Sequence, residues 1–107
     1  MATATVAQLI APTALTATLT TTLYTSVAKT IVKEMVICNT ESSAITVSVF
    51  VGTSATIANA VLDAVSFAAG ETKFFTLSTV LIAGDQIRGG ASSASVVSIN
   101  ASGTTVA

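Results

Sequence analysis

Short runs of valine, isoleucine and threonine are divided by turn residues along the whole of this chain. β-branched side chains pack well on a pleated surface and lose rotamer freedom in a helix. The runs fall at residues 3–11, 14–26, 30–39, 44–51, 61–68, 72–78, 86–91 and 95–101. Strands of this length at near-regular spacing predict an all-β chain. The expected architecture is a single-domain antiparallel β-sandwich, jelly-roll-like or Ig-like, of about eight short strands with an extended N-terminal arm. Residues 1–12 are assigned to the arm and residues 13–107 to the sandwich.

Individual runs carry finer expectations. Pro12 has no N–H for a ladder, so it marks a break or a sheet edge. Residues 14–26 place Leu15, Ala17, Leu19 and Leu23 on one face and a series of threonines on the other, which predicts one long strand. Residues 30–39 are apolar on both faces, as in a central strand: Ile31, Met35 and Ile37 on one, Val32, Val36 and Cys38 on the other. The polar stretch 39–43 predicts a hairpin to the next run, where Ile45, Val47, Val49 and Val51 point inward and Thr46 and Ser48 outward. A short helical turn is expected over residues 56–60. Phe74 and Phe75 fall on opposite faces of their run, and Gly89-Gly90 predicts a bulge or a close backbone approach. Ala-Gly-acid recurs at Ala69-Gly70-Glu71 and Ala83-Gly84-Asp85, each between two strands.

Composition narrows the function classes. Only 8% of residues are charged, against roughly a quarter in an ordinary soluble domain, and there is no histidine or tryptophan. Without histidine, and with Cys38 as the one cysteine, histidine triads, zinc sites and an intrachain disulfide are excluded. Cys38 lies in an apolar run and reads as a small buried hydrophobe. Glu71 and Asp85 occupy similar turns and are the one carboxylate pair that could converge; turn chemistry is the simpler reading. Lys29, Lys33, Lys73 and Arg88 are scattered and form no basic stripe for nucleic acid. No metal, cofactor or catalytic residue is expected, and the chain does not read as an enzyme.

Mean hydropathy is +0.84, which raises the question of a membrane. The apolar residues are dispersed, and threonines at 16, 18, 20, 21 and 22 interrupt the uncharged first 28 residues. No basic segment precedes an apolar one, so the sequence reads as a soluble, unsecreted protein. An uncharged N-terminal segment suits contact with a neighbour, through Thr3, Val6, Leu9 and Ile10. Tyr24 and Phe50 fall on otherwise polar strand faces and join them as candidate interface residues.

Several segments together resemble a known group. They are Leu23-Tyr24-Thr25-Ser26, Val32-Lys33-Glu34-Met35-Val36-Ile37-Cys38-Asn39-Thr40, Ala44-Ile45-Thr46-Val47-Ser48-Val49, Ala68-Ala69-Gly70-Glu71-Thr72 and Leu81-Ile82-Ala83-Gly84-Asp85-Gln86-Ile87-Arg88. In this order they resemble small all-β virion structural proteins of tailed bacteriophages, of the decoration, cement or tail-accessory type. The similarity spans roughly residues 20–100 and leaves residues 1–19 outside. It implies a virion component, assembled in the host cytoplasm; the scattered basic residues and dispersed apolar ones themselves speak against nucleic-acid and membrane partners. The expected role is capsid decoration, as a homo-oligomer such as a trimer on the major capsid protein or other virion proteins. The alternative is a tail, neck or fibre-associated module that binds another tail protein or a host glycan.

Overall fold

The computed structural model describes residues 4–53 and 59–106. The strands are β1 (Ala4–Ala14), β2 (Thr22–Thr25), β3 (Lys29–Asn39), β4 (Ile45–Gly52), β5 (Ala60–Phe67), β6 (Thr72–Leu81), β7 (Gln86–Ala91) and β8 (Val97–Val106). They form two four-stranded antiparallel sheets: sheet I in the order β1-β8-β3-β6 and sheet II in the order β2-β7-β4-β5. Only β4 and β5 are neighbours in both sequence and space. All the other steps between consecutive strands cross from one sheet to the other, which is the jelly roll and not the immunoglobulin order.

The core lies between the sheets. Sheet I contributes Val32, Met35, Ile37, Leu81, Ile99 and Ala101, and sheet II contributes Ile45, Val47, Val49, Leu62, Phe67 and Ile87. Burying a side chain of the larger kinds stabilises by about 1.5–3 kcal/mol before conformational entropy is counted. Phe67 at one edge of sheet II meets Phe75 at one edge of sheet I, ring centroids 6.5 Å apart and tilted by 60°. The Lys73 ammonium lies 5.0 Å from the Phe67 ring centre and donates to the Ser66 carbonyl at 3.0 Å, so it too bridges these two edges.

Bulges correct the strict alternation read from sequence. Between β3 and β8 the register steps from Val32–Gly103 to Glu34–Ser102, so Lys33 is an extra residue on β3. Val32 and Met35 therefore both face the core, while Ile31, Val36 and Cys38 share the outer face. Cys38 is half-buried there and not in the core. A similar extra residue on β1, Leu9, lets the adjacent Leu9 and Ile10 both be buried.

Three further expectations change. The stretch 39–43 is not a hairpin: β3 and β4 lie in different sheets, and this turn crosses between them. Residues 14–26 are not one strand. Ala14 ends β1, residues 15–21 form an irregular crossover, and only Thr22–Thr25 is extended. The threonines here bond one another: the Thr16 and Thr21 hydroxyls lie 2.7 Å apart, and the Thr21 hydroxyl donates to the Thr18 carbonyl at 2.9 Å. Threonine hydroxyls offer the backbone local partners that compete with a ladder. The tail beyond residue 101 belongs to β8, which runs to Val106. Most of the helical turn expected over residues 56–60 lies outside the described residues.

Candidate interaction surface

The first twelve residues were the expected contact element. Residues 4–12 are part of β1, the edge strand of sheet I, and residues 4–8 pair one-to-one with β8 from Ala4–Val106 to Gln8–Ser102. Thr3 lies outside the described residues. Val6 points outward and is 87% exposed. Leu9 and Ile10 turn into the protein's own core. Past Ile10 the strand skips register again before Thr13, with Pro12 inside the bulge, as a proline at a sheet edge allows.

Tyr24 and Phe50 separate. A register shift between Thr22 and Tyr24 sets Tyr24 opposite Ile87, and the ring packs against the core. Phe50 remains on the outer face of sheet II, half-buried between Arg88 on β7 and Ala60 on β5. Its surroundings are polar. Arg88 donates through Nε to the Gln86 side chain at 2.7 Å, and its Nη1 reaches the Thr20 carbonyl at 3.4 Å.

The outer face of sheet I is different. Reading across its four strands, Val6 on β1 pairs with Thr104 on β8, Thr104 with Ile31 on β3, and Ile31 with Val80 on β6. This row crosses the whole sheet and is apolar at three of four positions. Val80 is 55% exposed at one end, opposite Val6 at the other. Phe74, 64% exposed, lies further along β6 and pairs with Val36. Exposed apolar groups gathered on one sheet face mark a contact surface more than single ones do. Val6 is among the contact residues expected from sequence and is exposed, and Phe74 and Phe75 lie on opposite faces as expected. Val80 lies outside the run expected over residues 72–78, because β6 continues three positions further, to Leu81.

The chemistry elsewhere is structural. Glu71 accepts the Ala68 N–H at 2.9 Å, and Asp85 accepts the Ile82 N–H at 3.1 Å. In each turn the acid's own N–H donates back to the same first residue at 3.0 Å, around a glycine at φ 71° or 94°. The ten-residue strand β6 separates the two acids, so they do not converge. Among the described residues no group of three or more histidine, cysteine, aspartate or glutamate side chains is placed to hold a metal ion, and no helix is long and apolar enough to cross a membrane. A shallow cleft of about 450 Å³ beside Gly52, Asn59, Thr79 and Asp85 has no aromatic lining.

Gly89-Gly90 answers to close packing. A Cβ on Gly90 would sit 2.5 Å from the Thr18 carbonyl oxygen, and one on Gly89 2.6 Å from that of Ser48. The threonine crossover lies directly on β7, and Ala91 donates to the Thr16 carbonyl at 2.9 Å.

No protein-family model matches the chain, and no curated protein sequence does. Two solved structures share its fold. One is the T13 viral particle of IBDV, with a TM-score of 0.59 and 9% identity, covering 98% of this chain and 30% of that one. The other is the Gx strain of infectious bursal disease virus, with a TM-score of 0.57 and 13% identity, covering 99% of this chain and 32% of that one. The chain thus spans about a third of the length of either. Both come from an animal virus, so the likeness in fold extends to viral particle proteins without singling out tailed phages.

Proposed function

We propose that this chain is a non-enzymatic structural protein of a virion. The carrying observation is the strand order β1-β8-β3-β6 against β2-β7-β4-β5, matched over 98% of the chain by a protein of a viral particle. The low charge and the apolar row on sheet I support a role in contact between protein surfaces. Its partners on this reading are other virion proteins or further copies of itself.

The finer reading is a capsid decoration protein of a tailed bacteriophage, seated on the major capsid protein and acting through many weak contacts. The resemblance of residues 20–100 to small phage virion proteins supports it. The test is quantitative mass spectrometry of purified particles, with the chain counted against the major capsid protein. Decoration of a whole lattice requires on the order of hundreds of copies. A count of about a dozen or fewer moves the chain to the tail or neck, and absence from the particle overturns the virion reading.

A further inference from the structure

The four sheet edges of this molecule are not equally protected. Natural proteins blunt an edge with a short strand, a bulge, a proline or a charge, because its unpaired N–H and C=O groups invite another strand. In sheet II the β2 edge is only four residues long, and the β5 edge carries Asp63 and a bulge with Ala64 at φ 49°. In sheet I the protection leaves one end of each edge open. On β1 the bulges and Pro12 come after Gln8, and Ala4 to Gln8 are regular and uncharged. On β6 the one charge is Lys73, tied to Ser66, and the register with β3 shifts between Thr76 and Thr79, so the regular, uncharged stretch is Thr79 to Leu81.

The two open ends lie at the same level of the sheet. Val6 and Val80 are the ends of one row, and the pairings on either side keep Thr5 to Ala7 level with Thr79 to Leu81. Three successive antiparallel steps separate β1 from β6, so the two strands run in opposite directions. A second copy set beside the first, in the same orientation, brings its β1 against β6 as an antiparallel pair. The junction joins Val80 of one copy to Val6 of the next and continues the apolar row from sheet to sheet. The charged residues of β3 (Lys29, Lys33 and Glu34) lie one strand inside the β6 edge and two inside the β1 edge.

From this we propose that the chain self-associates head to tail, the β6 edge of one copy adding to the β1 edge of the next through residues 79–81 and 5–7. The contact is heterologous, so it closes as a ring when its rotation permits. Main-chain hydrogen bonds supply the affinity, and the facing valines set the register. The inference names a self-contact for the proposed virion protein and rests on that reading for its biological purpose alone.

The test is sedimentation of the purified full chain over a concentration series, with Val6→Lys, Val80→Glu and the double variant. Both positions are exposed, so the fold is expected to survive, and circular dichroism checks it. Wild type is expected to associate. Each single variant is expected to weaken association by at least about tenfold, because it places an unpaired charge in a desolvated strand junction. The double variant is expected to recover most of the loss, since its new lysine and glutamate meet across each junction. A wild-type chain that stays monomeric throughout overturns the proposal. So does a Val80→Glu chain that associates normally while Val6→Lys does not, which is the signature of a two-fold β1–β1 contact. Particle copy number tests the virion reading separately, and neither result decides the other.

Discussion

The side-chain amide of Asn39 donates to the carbonyl of Ala68 at 3.1 Å, across 29 positions of sequence. The same nitrogen reaches the carbonyls of Ser43 at 3.0 Å and Phe67 at 3.3 Å, and Oδ1 accepts the Glu41 N–H at 2.9 Å. Asn39 is fully buried and ties the β3–β4 crossover to the end of β5. Asn39→Ala takes a donor from three carbonyls, the buried one of Phe67 among them, and a loss of about 1–3 kcal/mol is expected. Asn39→Asp is nearly the same shape but turns a carboxylate toward those carbonyls, so it is expected to cost more than the alanine change. Denaturant midpoints of the two variants check the order. An aspartate variant as stable as wild type rules out this role.

Two glycines should fail in different ways. Gly70 has φ 71° with open space around it, whereas Gly90 has no positive φ but lies under the Thr16 and Thr18 carbonyls. Gly70→Ala is expected to cost about 1 kcal/mol through backbone strain, and Gly70→Asn less, since asparagine tolerates the left-handed region. Gly90→Ala is expected to cost about 1–3 kcal/mol by displacing the threonine crossover, and asparagine there should be worse than alanine. Thermal melts of the four variants give the comparison.

The strands were legible because valine, isoleucine and threonine runs report β structure locally. The sheet order was not, because only β4 and β5 pair with a sequence neighbour. Asn39 illustrates the gap. In sequence it opens a polar turn, and nothing nearby signals that Phe67 and Ala68 are its partners. Bulges hid the outer face of sheet I in the same way: one extra residue at Lys33 moves Ile31 from an apparent core stripe to the surface row. The crossover 15–21 imitates a strand because its threonines alternate with apolar residues, while their hydroxyls in fact bond each other. Pro12 and Gly89-Gly90 were read correctly, since edge tolerance and close approach follow from the residue itself.

Glu71 and Asp85 act as turn caps at opposite ends of β6, and their energetics should be independent. Alanine at either position leaves a turn N–H to water and is expected to cost about 1 kcal/mol. Glutamine at 71 and asparagine at 85 keep an accepting oxygen and should cost less. The double alanine variant is expected to equal the sum of the singles within about 0.5 kcal/mol, as for sites without shared partners. Urea unfolding of the three variants measures this. A coupling well beyond that limit contradicts the separation of the two carboxylates along β6.

Ser48 lies on the outward side of β4 and yet is buried, and its hydroxyl accepts the N–H of Ala64 at 3.0 Å. That N–H belongs to the β5 bulge, where two residues oppose one and Ala64 is held at φ 49°. Ser48→Ala removes the acceptor, and a loss of about 1–2 kcal/mol is expected. Ala64→Gly relieves the positive φ while adding freedom to the unfolded chain, for an expected net gain of about 0.5 kcal/mol. Hydrogen exchange distinguishes the two effects. Ser48→Ala should speed exchange of the Ala64 amide more than that of the core amides of β4, whereas Ala64→Gly should slow both. If Ser48→Ala leaves the Ala64 amide as protected as before, the hydroxyl is not what holds the bulge.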